Sequence, residues 1–393
     1  MGCCQKKKPE QLIEKDLDKT KNEILDASDT EALDINRESD SQPLDIKVSY
    51  SDFEPLKLLG RGSFGEVILV RLKANKKVYA MKILNKKILK IKRQQVHTKT
   101  ERDLMVKINC PFIVNIKSAF QDASKLYIVS EFMQGGDMFY HMHDGQIIIF
   151  SNEKTKFYII ELVLALEALH KKNMIYRDLK PENILLDSKG HVKLTDFGLS
   201  KMFETEDEKA YTICGTPQYL APEILDKKGY DKAVDWWSLG CVMYEMLVGK
   251  LPYAIKRGVK MNKKIYDQGV DYKNLNSNAK DLIQKLLIID PKQRLGSGPN
   301  GSEDIKKHPF FNGVNWKDAW LKKLKPPFIP KLKNDTDLSY FDTMFTDEPI
   351  DGPQRKYTNR DREASNEYNG FSYVTGSVSN ELMTLAKTGD NES

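Results

Sequence analysis

Long apolar runs are missing from this 393-residue chain. No stretch approaches the ~20 consecutive apolar residues of a membrane-spanning helix. The most apolar, Tyr158 to Leu169, carries Glu161 and Glu167 and reads as a buried helix instead. Cysteine is scarce, five residues in all, scattered apart from Cys3-Cys4, which argues for a reducing compartment and against a disulfide framework. Cys110, Cys214 and Cys241 lack metal-site spacing, and internal repeats are absent. The net charge is +6, but residues 1–50 hold eight Lys or Arg against twelve Asp or Glu, a net −4 that leaves +10 on the remainder. No aromatics interleave with that basic excess, so a lysine-rich surface accounts for it and no nucleic acid is expected as a partner.

What is present points to phosphoryl transfer. Tyr176-Arg177-Asp178-Leu179-Lys180-Pro181-Glu182-Asn183 is followed, thirteen residues after Asn183, by Asp196-Phe197-Gly198. Asn183 and Asp196 offer hard oxygen ligands suited to Mg²⁺ carried on a nucleotide phosphate. Asp178, five residues before Asn183, can accept the proton of an incoming hydroxyl. Upstream, Leu59 precedes Gly60-Arg61-Gly62-Ser63-Phe64-Gly65-Glu66-Val67, where glycines let a backbone turn approach phosphate oxygens. A dinucleotide fingerprint would open a helix. Here the flanks Val67-Ile68-Leu69-Val70 and Val78-Tyr79-Ala80-Met81 are β-rich, so the loop joins strands. Lys82 ends the second strand, within reach of α- and β-phosphates. The stretch Val96 to Ile108 reads as an amphipathic helix carrying Glu101, either a partner that holds Lys82 in place or one more solvated carboxylate.

In combination these motifs resemble the eukaryotic protein kinases, over about Phe53 to Phe311. Ala221-Pro222-Glu223 resembles the end of the activation segment, Arg294 the partner of Glu223, and Asp235 the brace of the catalytic loop. Met105, Ile116, Tyr176 and Phe197 match the apolar regulatory spine, a placement that ordinary core packing would also give. The resemblance implies an α+β fold, with an antiparallel β-rich small lobe and a mainly helical large lobe. It implies ATP and Mg²⁺ as cofactors, with Asp178, Lys180, Asn183 and Thr216 catalytic. Leu59, Gly60, Gly62, Ser63, Phe64, Gly65, Val67, Ala80, Lys82, Glu101, the hinge positions Ser130, Glu131 and Met133, and Asp137 would bind the nucleotide. Asn183 and Asp196 would hold metal. Ser130 stands at the gatekeeper position, where relatives usually carry something larger, and should open space behind the adenine.

Lys180, the Gly215-Thr216-Pro217 step and Tyr176 in place of a more usual His resemble the serine/threonine kinases of the AGC group. Within the group the pattern is nearest the ribosomal-protein kinases and protein kinase B. Thr212 resembles the activation-loop phosphosite, with Arg177, Lys201 and His97 to receive its phosphate. Phe341-Asp342-Thr343-Met344-Phe345 resembles the tail element that wraps the nucleotide pocket. Tyr368-Asn369-Gly370-Phe371-Ser372-Tyr373 resembles the hydrophobic motif, with Ser372 as phosphosite and Lys86, Lys87, Lys90, Lys92 and Arg93 as a basic run for its charge. Gly352 replaces the Ser or Thr of the turn motif. Asp137, Glu182 and Glu245 match acids that face basic residues two or three positions before the acceptor, whereas Gln218 replaces a further acid.

Three regions are therefore expected: an acidic extension over 1–50, a kinase domain over 53–311 and a regulatory tail over 312–393. Met1-Gly2-Cys3-Cys4 before Lys6-Lys7-Lys8 reads as a lipidation signal, with myristate on Gly2 and palmitate on Cys3 and Cys4, although Lys6 stands where the usual pattern has Ser or Thr. The expected protein is cytoplasmic, tethered to the inner membrane surface, acting on basic protein substrates and switched on by upstream kinases. A nucleotide-binding pseudokinase scaffold and a small-molecule kinase are the alternatives; the second leaves the Thr212 segment and the tail unexplained.

Overall fold

The computed structural model describes residues 48–62, 64–92, 95–253, 263–350 and 368–379. Strands β1 (Phe53–Gly62), β2 (Gly65–Leu72), β3 (Val78–Asn85), β4 (Ile116–Gln121), β5 (Lys125–Glu131) and β10 (Tyr373–Val374) form one antiparallel sheet in the order β1-β2-β3-β5-β4-β10. Its apolar residues bury one face: Leu58, Ile68, Val70, Met81, Tyr127 and Val129 pack into a core of their own. Two helices follow β3. In α1 (Lys86–Ile91), Asn85 caps the first turn by accepting from the amides of Lys87 and Ile88. The predicted Glu101 helix is α2 (Gln95–Lys107).

Below the sheet the chain turns helical. Asp137 caps α3 (Met138–His143), accepting from Tyr140 N at 2.8 Å. Ser151 caps α4 (Asn152–His170), the predicted buried helix, which is apolar nearly all round because it runs through the centre of the larger core. Its Glu161 is buried without being orphaned, since His191 and the Val192 amide meet it at 2.6 and 2.8 Å. Short pairs β6 (Met174–Ile175) with β9 (Lys201–Met202) and β7 (Ile184–Leu186) with β8 (Val192–Leu194) present the loops between them to the sheet. After α5 (Pro222–Asp226), helix α6 (Ala233–Val248) is almost wholly buried and ends on Gly249, whose φ of 75° closes the helix in the left-handed region. Helices α7 (Ser277–Leu286), α8 (Ser302–Lys306) and α9 (Trp316–Trp320) complete this lower part. This is the two-lobed α+β architecture expected from the sequence.

The tail returns to the sheet twice. Helix α10 (Thr343–Thr346) packs on β1, and Lys57 donates to Thr346 O at 3.2 Å. Strand β10 then adds to the open edge of β4, with Tyr373 opposite Ala119 and Val374 opposite Ser118. Just past it Val378 is 3% exposed among Val48, Phe53 and Phe120.

Candidate active site

Between sheet and helices lies a cavity of ≈ 270 Å³. Leu59, Val67 and Ala80 line it from the sheet, Met133 and Leu185 from below, and Ser130 and Glu131 from the end of β5. Apolar walls with few polar groups suit a flat aromatic base. Gly60, Lys82, Glu101 and Asp137 also line it. Gly62, Phe64 and Gly65 stand outside that lining. Gly65 has a packing reason to be glycine: a Cβ would run into the Ile83 carbonyl across the strand. Phe64 lies beneath Lys92, 5.0 Å from ring centroid to Nζ.

Lys82 joins two carboxylates. Its Nζ is 2.7 Å from Glu101 Oε1 and 3.1 Å from Asp196 Oδ1. Glu101 is therefore a structural partner, and the solvated alternative falls. Burial pulls the Lys82 ammonium down, but Asp196 and Glu101 more than offset this and hold it above its ordinary value. Lys82 holds the Asp196 carboxyl below its ordinary value, whereas burial pushes Glu101 up. Asp196 takes a φ of 57°, a left-handed conformation rare for a side-chain-bearing residue outside functional turns.

The other half of the site is a closed hydrogen-bond cluster. Asp178 Oδ1 accepts from Thr216 N at 3.1 Å and Thr216 Oγ1 at 2.8 Å, and its Oδ2 from Asn183 Nδ2 at 2.9 Å. Lys180 Nζ lies 2.9 Å from Asp178 and 2.8 Å from Thr216 Oγ1. The loop carrying them is held from beneath: Asp235, with no exposed surface, accepts from the amides of Tyr176 and Arg177 at 2.9 and 2.8 Å and from His170 at 2.8 Å. That grip stabilises Arg177 at a φ of 71°. Met105, Ile116, Tyr176 and Phe197 are all buried, and the rings of the last two meet edge-on at 5.2 Å.

The oxygen donors fit a divalent cation of the hard class. Nδ2 of Asn183 is spent on Asp178, so its amide oxygen is the atom it could offer a cation, and Asp196 is biased toward its charged form. No group of three or more His, Cys, Asp or Glu among the described residues forms a protein-only cage. Mg²⁺ shared with phosphates takes only one or two protein oxygens.

The three acids expected at the substrate side sit in one electrostatic neighbourhood. Burial, then the Glu182 charge, pushes Asp137 up; burial and Glu182 likewise raise Glu245, against Tyr219 OH, which donates to it at 2.6 Å. In the activation segment Thr212 is exposed, and its carbonyl accepts from Tyr230 OH at 2.6 Å. Arg177 reaches Tyr230 OH at 3.1 Å and the Leu199 carbonyl, while Lys201 is paired with Glu208 at 2.6 Å. Arg177 is thus one residue removed from Thr212, and Lys201 is engaged elsewhere. Ser63, Gly2, Cys3, Cys4 and Gly352, and the side chain of His97, lie outside the described residues.

Sequence reasoning missed Val114, Ile128, Phe132, Leu185 and Thr195 in the cavity wall. Thr195 had a signal, its place before Asp196. Phe132 had one too, its place between Glu131 and Met133; the tail's Phe341 stacks on it at 5.5 Å and also lines the cavity. Lys86, expected in a basic run for the Ser372 phosphate, is 2% exposed. Its ammonium donates to Gln121 Oε1 and Asp122 O at 2.8 and 2.7 Å, with the Tyr368 ring at 5.5 Å.

Comparison with known proteins agrees. The protein kinase domain family matches residues 53–311, and the protein kinase C terminal domain family matches 332–373. The chain belongs to the serine/threonine protein kinases of the AGC group. It is 45% identical over 339 residues to the serine/threonine-protein kinase YPK2/YKR2 of Saccharomyces cerevisiae, 86% of this chain and 48% of that one. It is 41% identical over 373 residues to RAC-beta serine/threonine-protein kinase A of Xenopus laevis, 91% of this chain and 76% of that one. Ribosomal protein S6 kinase 2 alpha of Gallus gallus is 45% identical over 312 residues, 78% of this kinase and 41% of its relative. The kinase thus spans about half the length of the yeast relative.

Proposed function

We propose that the chain transfers the γ-phosphoryl of ATP to serine and threonine hydroxyls of proteins. The observation that carries this reading is a pair of neighbouring clusters: Lys82, which lines the cavity, between Glu101 and Asp196, and Asp178 with Lys180, Asn183 and Thr216, where the Lys180 charge acts on Asp196. A pseudokinase would be expected to lack one of these groups.

The apolar walls hold the adenine, and Gly60 lets the backbone lie close to phosphate. Lys82 neutralises phosphate oxygens and is kept in place by Glu101. Asp196 and Asn183 would hold magnesium, which when bound would neutralise phosphate charge. Asp178 orients the acceptor hydroxyl and takes its proton as oxygen bonds to the γ-phosphorus and the bond to the ADP oxygen breaks. Lys180, already at Asp178, faces the transferred group, and Thr216 fixes both. Asp137, Glu182 and Glu245 favour basic residues before the acceptor, Arg above Lys because its fork matches a carboxylate. Phosphorylation of Thr212 and Ser372 by upstream kinases would order the activation segment and seat the tail. Lipid on Gly2, Cys3 and Cys4 would tether the protein to an inner membrane surface.

The test is radiolabel transfer from ATP to an arginine-containing serine peptide by wild type and Asp178→Asn. The variant should lose about 10²–10⁴-fold in kcat while still binding nucleotide by thermal shift. A phosphorylated wild type that labels no peptide, or an undiminished variant, refutes the reading.

A further inference from the structure

We infer that the substrate cleft continues beyond Glu245 onto an apolar patch that receives an aliphatic side chain of the protein substrate, N-terminal to its basic residues. This rests on the reading of the chain as a kinase for basic substrates and adds a second specificity element to it.

The segment between α3 and α4 contains Ile147-Ile148-Ile149-Phe150. Ile148 N donates to Met142 O and Phe150 N to Met246 O, both at 2.8 Å. With that backbone pinned, side chains alternate. Phe150 is buried at 3%, whereas Ile147 and Ile149 stand 62% and 61% exposed. Both outward isoleucines lie against Gly249, where a Cβ would collide with the Ile147 side chain. Gly249 caps α6 one turn beyond Glu245, and its amide donates to the Glu245 carbonyl at 2.8 Å. From the other side Phe139, 43% exposed, stacks on His143 at 4.3 Å, and His143 Nε2 lies 4.0 Å from Glu245 Oε1. Singly exposed apolar residues are unremarkable. Here two lie against the C-cap of the helix that carries Glu245 and a third reaches that acid through His143, and the two come from a pinned segment that could have turned them inward.

Continuity selects the occupant. Glu182, two residues after the catalytic-loop Lys180, lies close enough to both Asp137 and Glu245 to act on their ionisation. Glu182 sits on the turn after Lys180, Asp137 bridges to Leu185 just beyond it, and Gly249 with its two isoleucines follows Glu245 by one turn of α6. An extended peptide with its acceptor at Asp178 and cations on Glu182 and Glu245 would carry its next upstream residues over Gly249 and the isoleucine pair. Alternate side chains of such a peptide face the protein. An aliphatic one can cover Ile147 and Ile149 without disturbing the cations.

Two peptide series decide this. Both keep the basic residues; one steps a single leucine through each position N-terminal to them, and the other has alanine there. KM and kcat are measured on serine peptides. Affinity is measured separately by fluorescence anisotropy on peptides with alanine at the acceptor. One leucine position should improve KM and affinity by about tenfold, the weight of one buried aliphatic contact, with kcat unmoved. The double change Ile147→Ser with Ile149→Ser should collapse the leucine–alanine difference, and Ile147→Leu with Ile149→Leu should retain it. A wild type indifferent to leucine at every position, or a serine variant that keeps the full difference, overturns the inference. So does a patch that serves self-association: a dimer in sedimentation that the serine changes dissolve, with peptide preference untouched. Leucine-dependent binding without any phosphate transfer would sink the kinase reading and leave the docking patch standing.

Discussion

Ser130 shows how one side chain sets a ligand's reach. It lines the cavity at the inner end of β5, and in the sheet it lies opposite Ala80 and Ile116. On the proposed reading, a small residue there should leave open the space behind the adenine. Ser130→Met should weaken a bulky ATP-site ligand by about tenfold or more, with little change in KM for ATP; inhibition constants for the two proteins check this. Equal inhibition would mean that neighbouring side chains already close the space. Such positions were legible in the sequence because they stand at fixed steps from motifs: Ser130 before Glu131, Asp178 before Asn183. Lys86 was not. Nothing in a run of lysines says which one the fold buries, and the decision came from the Gln121 side chain, the Asp122 carbonyl and the Tyr368 ring, all distant in sequence.

Elements hold the site through a few buried polar contacts, and two can be tested. Arg294, with no exposed side-chain surface, meets Glu223 at 2.5 and 2.9 Å and the Ala233 carbonyl at 2.8 Å, tying α5 and α6 to the segment after α7. Arg294→Met strands the Glu223 charge and should cost about 3–5 kcal/mol in urea denaturation, with part recovered on adding Glu223→Gln. His308 fixes the segment after α8. Its Nδ1 accepts from Phe310 N at 3.1 Å and its Nε2 donates to Asp281 at 2.7 Å, so the ring must be neutral. Burial lowers its pKa from 6.5; Asp281 opposes the shift, and Lys285 adds to it. The unfolded chain therefore takes up the proton first, and the stability this residue gives is complete above pH ~6.5 and is lost as pH falls through the folded value. Unfolding free energies at pH 7.5 and 5.5 should drop less toward acid for His308→Asn than for wild type.

The C-terminal tail acts on the small lobe as a clamp with two grips. One is Phe341 stacked over the cavity, with α10 on β1. The other begins at Tyr368 and Phe371, both buried, and continues past the Ser372 position into β10 and Val378. The backbone bonds this grip forms, among them Thr375 N to Lys117 O at 2.9 Å, do not require phosphate. Val378→Asp puts a charge where 3% of the side chain is exposed. It should speed hydrogen exchange across the β4–β10 ladder by about tenfold or more while leaving α4 and α6 protected. Unchanged exchange would show that the tail is held upstream of Ser372 alone.

The family, the order of the motifs and the fold class could be read from the chain because each is carried by a short local pattern: glycines where backbone must come close, a carboxylate and an amide at fixed spacing, β-rich flanks around a turn. Tertiary structure alone decided what depends on distant neighbours. It gave Gly65 a collision partner in Ile83, drew Tyr373 and Val374 onto a strand more than two hundred residues away, and turned Ile147 and Ile149 outward beside Glu245. A run of isoleucines announces burial. Which of them the fold leaves uncovered depends on hydrogen bonds to Met142 and Met246, carbonyls of two separate helices, α3 and α6.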